Sequence, residues 1–180
     1  MKVINFFAGP NSGKSVTAAG LFYVMKIQNY NVELVTEYAK DMVWEKRSNV
    51  LKDQLYILAK QNRRLERLRE IDWVITDSPI ILGLNYTPLD YYKNFQALTF
   101  DAWQTYNNLN FYLTSSVDLP YQSSGREQTK DQAKEINLKV LDFLISNQVS
   151  HHVITITPHV VDPFKNHIVD ILNIVSNTVI

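Results

Sequence analysis

The stretch FFAGPNSGKSV, residues 6–16, sits directly behind the apolar opening MKVIN and ahead of a segment with helical patterning. From Ala8 to Ser15 it fits the pattern G-x-x-x-x-G-K-[ST], with Ala in the first position and Gly9 following at once. The spacing has a physical reason. A strand ends, the backbone turns so that successive N–H groups point inward, and a helix starting near Lys14 presents its positive dipole end to an anion. Gly9, Pro10, Asn11, Ser12, Gly13, Lys14, Ser15 and Val16 are the residues expected to surround a nucleotide's phosphates. Gly13 permits close approach, Lys14 is the expected contact for the β and γ phosphates, and the Ser15 hydroxyl is the expected ligand for Mg2+. Pro10 has no N–H and belongs where no donor is needed. The alternative is a Gly-containing turn that carries Lys-Ser by chance. The order strand, loop, helix argues against it, so ATP and Mg2+ are the expected ligands.

Working outward, apolar runs of strand length alternate with longer helical patterns. Residues 3–8 (VINFFA), 31–36 (NVELVT), 73–77 (WVITD), 109–114 (LNFYLT) and 152–157 (HVITIT) are the candidate strands, rich in Val, Ile, Phe, Tyr and Thr and free of internal Pro. Helices are expected from about Ser15 to Asn29, across Tyr38 to Glu70 in one or two pieces, across Pro88 to Asn107, across Thr129 to Gln148, and beyond Pro163. Strands separated by helices imply right-handed crossovers and a mainly parallel sheet covered on both faces. The expected fold is α/β: five strands in the order 2-3-1-4-5, in one domain over residues 1–180. In the second helical region Leu51, Leu55, Leu58, Leu65 and Leu68 are expected to face the core, with Arg63, Arg64, Arg67 and Arg69 elsewhere around it. Ile136, Val140, Leu141 and Leu144 make a similar stripe, preceded by the polar stretch DLPYQSSGREQTK.

Composition narrows the functional classes. Lys plus Arg and Asp plus Glu number 18 each, so no global field favours a nucleic-acid or membrane-surface partner, although a local patch remains open. The absence of cysteine excludes a disulfide scaffold, a thiolate nucleophile and a cysteine zinc site. His151, His152, His159 and His167 show no zinc spacing. No apolar run approaches the roughly 18 residues that span a bilayer, and the opening lacks a cleavable signal pattern, so a cytoplasmic protein is expected.

The loop alone allows a kinase, a motor ATPase or a GTPase switch. In WVITDSP, Asp77 ends an apolar strand at the sheet edge where open α/β folds gather ligands, within reach of Mg2+ directly or through water; otherwise it merely begins a turn before Pro79. In NVELVTEYAKD, Glu37 stands just past the second strand at the same edge. There it can accept a proton from an attacking hydroxyl or hold it in line, unless it is simply an acid at a helix N-terminus.

The loop, then T-E-Y-A-K-D after strand two, I-T-D-S-P after strand three and the Gly125-Arg126 pair after strand four together resemble the small AAA-type ATPase/kinase proteins of bacteriophages. They are also similar to the nicotinamide riboside kinase domain of bacterial NAD-biosynthesis proteins. The resemblance runs from Val3 to about Ile156 and implies a P-loop, nucleoside/nucleotide-kinase-like fold using ATP and Mg2+. Ser78 and Pro79 stand where the riboside kinase domain has Thr-Asp, so the riboside itself is not carried across. In kinases of this build a mobile lid brings arginines over the phosphates; here the lid falls at about residues 117–131, with Arg126 its cation and Gly125 its hinge. Lys130 and Lys134 follow at four-residue spacing, Lys134 on a solvated face. Thr157 and Pro158 border the adenine in the family manner.

The acceptor pocket is read from side-chain chemistry. Gln54 and Gln61, seven residues apart, share one side of a helix, with Arg64 one turn further. Gln hydrogen-bonds base edges, and Arg grips a phosphate when the acceptor is a nucleotide. Tyr38 and Trp44 are stacking candidates, or core aromatics. The leading expectation is an ATP- and Mg-dependent phosphotransferase acting on a nucleoside or nucleotide hydroxyl, with Lys14, Glu37, Asp77 and Arg126 in catalytic roles and Ser15 and Asp77 on the metal. Two rivals stand beside it. One is a kinase acting on a modified base or end of DNA or RNA, using the arginines from Arg63 to Arg69; the other is a nucleotide-dependent switch or assembly ATPase without a small-molecule acceptor.

Overall fold

The computed structural model describes residues 1–115, 130–156 and 167–178. Five parallel strands lie in the order 2-3-1-4-5: β1 (Lys2–Phe7), β2 (Val32–Val35), β3 (Trp73–Thr76), β4 (Asn107–Ser115) and β5 (His152–Ile156). The helices between and after them are α1 (Lys14–Ile27), α2 (Tyr38–Trp44), α3 (Gln54–Glu66), α4 (Phe95–Gln104), α5 (Lys130–Ser146) and α6 (His167–Asn177). The expected sheet order is the observed one.

Alternation along β1 divides the core. Ile4 and Phe6 point to the face covered by α1 and α6, where Ala18, Leu21 and Met25 meet Ile168, Ile171 and Val175. Val3 and Phe7 point to the other face, against Leu58 and Leu65 of α3, Phe95 of α4, and Val140 and Leu144 of α5. One polar thread runs through this apolar sheet. The Asn5 amide donates to Asn108 Oδ1 at 2.9 Å and Asn110 Oδ1 at 3.0 Å, and Asn110 Nδ2 donates to the Ser150 carbonyl at 3.0 Å. Asn5 and Asn110 are direct partners in the β1–β4 register, and both are buried.

The segment Tyr38 to Glu70, expected as one or two helices, forms two, α2 and α3. Lys46 takes a left-handed conformation (φ 56°), and the Arg47 and Lys46 N–H groups turn back to the Met42 and Val43 carbonyls, closing α2 with a six-to-one and five-to-two pair of bonds. A 3-10 turn over Ser48–Lys52 follows, and Asp53 caps α3 by accepting from the Tyr56 N–H at 3.1 Å. The restart shifts the helical phase. The buried face of α3 is Gln54, Leu58, Gln61 and Leu65; Leu51 falls in the 3-10 turn, and Leu55 is 41% exposed rather than in the core. The next helix also starts late. Pro88 holds Thr87 extended (ψ 130°), residues up to Asn94 form turns, and α4 begins only at Phe95, while a 3-10 segment over Ile80–Tyr86 occupies the space after β3.

Candidate active site

The loop from Ala8 to Gly13 leaves the end of β1 and turns through two left-handed residues, Asn11 (φ 62°) and Gly13 (φ 77°). Gly13 is required there twice over. Its φ is costly for any residue with a Cβ, and a Cβ would lie 2.9 Å from Ile156 Cδ1. The Gly13 carbonyl accepts from the Thr17 N–H at 2.9 Å, so α1 starts on the loop's last residue. The Lys14 ammonium folds over the loop and donates to the Ala8 and Gly9 carbonyls at 2.9 and 2.8 Å. The Gly9 N–H donates to Asn137 Oδ1 of α5 at 2.8 Å. Pro10, Asn11, Ser12 and Lys14 are half-buried, and Val16 is 60% exposed.

Sheet order places β3 beside β1, and it brings Asp77 to the first turn of α1. Ser15 Oγ donates to Asp77 Oδ2 at 2.5 Å, across 62 residues of sequence. Asp77 is buried, and its second oxygen, Oδ1, is shielded from solvent with no hydrogen-bond partner. A buried carboxylate oxygen left unmatched is a costly arrangement that a cation would satisfy. Behind the loop, Thr17 Oγ1 and His167 Nε2 lie 3.4 Å apart in a buried contact. Burial pushes the His167 pKa below its ordinary value, against a smaller opposing effect from Asp170.

Glu37 is the N-cap residue of α2, half-buried at the end of β2, and its side chain does not cap the helix. Its charge acts on Tyr86, at the end of the 3-10 segment after β3, whose pKa is pushed up to about 12 by burial first and by Glu37 second. Glu37 and Tyr86 thus share the edge where Asp77 and the loop stand.

Of the four residues read as acceptor contacts, Tyr38, Gln61 and Arg64 meet where α2 packs on α3, while Gln54 stands apart at the start of α3. Gln61 binds both sides of Glu37: its Oε1 accepts from the Tyr38 N–H at 2.9 Å and its Nε2 donates to the Thr36 carbonyl at 3.3 Å. Arg64 donates to the Thr36 carbonyl at 3.1 Å and pairs with Asp41. Gln54 Nε2 donates to the Leu51 carbonyl at 2.7 Å, and its Oε1 lies where a Cβ on Gly83 would approach to 3.3 Å. Tyr38 packs edge to face on Tyr56 at 5.9 Å, and Trp44 is 61% exposed. A slot between α3 and the 3-10 segment, lined by Gln54, Gln61, Ser78 and Gly83, has a volume of about 30 Å³. A larger hollow of about 330 Å³ opens at the opposite edge of the sheet, between the starts of β4 and β5, far from these residues. Gly125, Arg126, the lid span up to residue 129, Thr157, Pro158 and His159 lie outside the described residues; Lys130 begins α5.

Sequence reading missed Asn137, Tyr86 and Tyr56. Asn137 carries no motif: it is one polar residue of an amphipathic helix, and only the docking of α5 brings it to Gly9. Tyr86 lies in a segment whose 3-10 structure has no periodic signature.

A five-stranded parallel sheet in this order, with a glycine loop running into α1 and an acid at the end of the neighbouring strand, defines a P-loop fold of the nucleoside/nucleotide-kinase type. Residues 3–161 match the family described as AAA domain, and the chain belongs to it. Thymidylate kinase from Ehrlichia chaffeensis is similar in structure, with a TM-score of 0.63, 16% identity and coverage of 97% of this chain and 98% of that one. The structure of deoxyadenosine kinase from M. mycoides with bound dATP is also similar, with a TM-score of 0.54, 18% identity and coverage of 98% and 100%. No curated protein matches by sequence. Among the described residues, no helix is long and apolar enough to cross a membrane, and no group of three His, Asp or Glu could hold a metal ion.

Proposed function

We propose that the protein is a small P-loop kinase that moves the γ-phosphoryl group of ATP to a hydroxyl of a nucleoside or nucleotide. The observation that carries this reading is the Ser15–Asp77 contact with its unmatched, buried Asp77 Oδ1 at the mouth of the loop. Mg2+ is bound by few protein ligands and completes its shell with phosphate oxygens and water, which fits a site that offers one hydroxyl and one carboxylate. Ser15 and Asp77 would hold the ion, which when bound neutralises charge on the phosphates. The loop N–H groups and Lys14 would hold the β and γ phosphates, Lys14 exchanging its bonds to the Ala8 and Gly9 carbonyls for phosphate oxygens. Glu37 would take the hydroxyl proton as the acceptor oxygen bonds to the γ phosphorus and the bond to the bridging oxygen breaks, releasing ADP. Gln61 holds the backbone on either side of Glu37 and so positions it. Arg126 would bring a further positive charge to the transferring group if residues 117–131 act as the lid that the sequence leads one to expect. Both similar structures carry kinase names, one for a nucleotide substrate and one for a nucleoside, and they support the reaction class without choosing between acceptors.

The test is transfer of label from γ-labelled ATP with Mg2+ to a panel of nucleosides, nucleotides, nicotinamide riboside and oligonucleotides. Label on one class of acceptor, abolished in Lys14→Ala, is the expected result. Glu37→Gln is expected to bind ATP as the parent does while transfer falls by roughly a hundredfold or more. Hydrolysis to free phosphate with no acceptor labelled would replace this reading with that of a switch or assembly ATPase.

A further inference from the structure

Between Tyr38 and Arg67 the chain carries eight Lys and Arg residues against four Asp and Glu, within a total balanced at 18 each. This excess is organised. Tyr56, Lys60 and Arg64 recur at every fourth residue of α3 and form one line on the helix. Tyr38 lies across that line: its hydroxyl donates to the Tyr56 hydroxyl at 3.0 Å, and the Arg64 guanidinium stands 5.2 Å from its ring centre. The Lys60 ammonium stands 5.2 Å from the Tyr56 ring centre. Arg47, at the start of the 3-10 turn, is near enough for its charge to act on both phenols.

Two of the three cations are already matched, Arg64 by Asp41 and Arg47 by Glu45. Lys60 has no carboxylate partner among the described residues. The Tyr56 hydroxyl accepts from Tyr38, which leaves its own proton for a further acceptor. The Tyr38 bond above all, then the Lys60 charge, hold the Tyr56 phenol below the ordinary tyrosine value, which makes it a stronger donor. Location matters as much as charge. Gln61 is tied level with the end of β2, and α3 runs antiparallel to the strand that follows it, so the turn from Tyr56 to Lys60 lies beyond the strand ends, at the end of the sheet where Glu37 and Asp77 stand, on the helix face turned away from the core. The two glutamine amides of α3 are meanwhile engaged with backbone groups, Gln61 at both ends and Gln54 through its Nε2. The line of Tyr56, Lys60 and Arg64 offers a ligand positive charge and a phenolic proton.

We propose that Tyr56 and Lys60, with Tyr38 and Arg47 beside them, form an anion site that grips a phosphate ester on the acceptor, so that the acceptor is a nucleotide rather than a nucleoside. The word acceptor rests on the kinase reading above, but the site is tested by binding alone. Phosphate suits the cluster because it presents several strong acceptor oxygens to an ammonium and a hydroxyl at once.

The experiment uses the full chain with its loop filled by a non-hydrolysable ATP analogue and Mg2+, so that phosphate cannot report on the loop itself. Calorimetric titrations then compare matched pairs: thymidine with its 5′-monophosphate, adenosine, guanosine and cytidine with theirs, and trinucleotides with and without a 5′-phosphate. The expected result is a preference of roughly tenfold or more for the phosphorylated member of at least one pair, about 1.4 kcal/mol. Lys60→Met should bring that preference to within about twofold, Tyr56→Phe should reduce it in part, and analogue affinity should stay at the parent value. A preference confined to mononucleotides supports the site with a free nucleotide as its ligand; one confined to trinucleotides supports it with a strand end. Equal affinity within every pair, or a preference that survives Lys60→Met, overturns the proposal. A protein that shows the Lys60-dependent preference and labels no acceptor keeps this site and loses the kinase reading; one that labels only unphosphorylated nucleosides does the reverse.

Discussion

Replacing Asp77 with Asn should move stability and nucleotide binding in opposite directions. The carboxylate accepts from Ser15 through Oδ2, but its Oδ1 is buried without a partner. An unmatched buried polar atom costs about 1–3 kcal/mol, more when it belongs to a charge; an amide still accepts from Ser15 and leaves a neutral NH2 group, rather than a charged oxygen, in the unmatched place. Without metal the Asn variant should therefore gain about 1 kcal/mol, or roughly 2–4 °C in Tm for a chain of this size. With Mg-ATP at about 100 times its Kd, the parent gains about 2.7 kcal/mol from binding. Loss of a metal ligand that weakens binding tenfold leaves the variant about half of that gain, and weaker binding leaves less. Thermal unfolding of both proteins, in EDTA and in Mg-ATP, measures the two effects in one assay. A variant less stable than the parent in EDTA would mean that Asp77 serves the fold through Ser15. Equal Mg-ATP shifts in both proteins would remove Asp77 from the metal.

Three more perturbations test neighbouring parts of the site. Gly13→Ala should cost about 1–2 kcal/mol through its φ of 77° alone, with crowding against Ile156 adding to it and ATP affinity falling too; chemical denaturation and nucleotide titration read both. Gln61→Leu leaves the Tyr38 N–H and the Thr36 carbonyl without their amide partner, so stability should drop by about 1–3 kcal/mol and transfer should slow while ATP binding holds; an unchanged transfer rate would show that Gln61 does not position Glu37. His167 titrates below its ordinary value when folded, so the unfolded chain binds the proton more readily: its contribution is complete above about pH 6.5 and is lost as pH falls toward the folded value. His167→Gln should flatten the fall in urea midpoint between about pH 7 and 5, and a slope equal to the parent's would assign that fall to other groups.

Much of this architecture was readable because it depends on local pattern. The strands announce themselves as short β-branched runs, and the loop motif fixes which strand is central, which in turn puts Asp77 beside Ser15. What escaped depends on single residues or on distant docking. No residue preference announces a left-handed lysine, yet Lys46 ends α2 and the restart at Asp53 turns Leu55 outward and Gln54 inward. Gln54 and Gln61 share a helix side as the seven-residue spacing requires, but that spacing says nothing about whether their amides face a ligand or the chain's own backbone. The reach of Asn137 to Gly9, 128 residues apart in sequence, exists only once α5 has packed on the sheet.

The asparagine thread through the sheet bears on how the chain finds this fold at all. Parallel strands of Val, Ile and Phe pair almost equally well when shifted, since every apolar side chain finds another. Asn5, Asn108 and Asn110 do not tolerate such exchange: slide β4 past β1 by a residue, and buried amides face hydrocarbon with no partner. Exchanging the three for valine would add apolar contact and yet loosen the register of β4 on β1, and with it the docking of α5 that brings Asn137 to Gly9, while β1 and β3 would still carry the loop to Asp77.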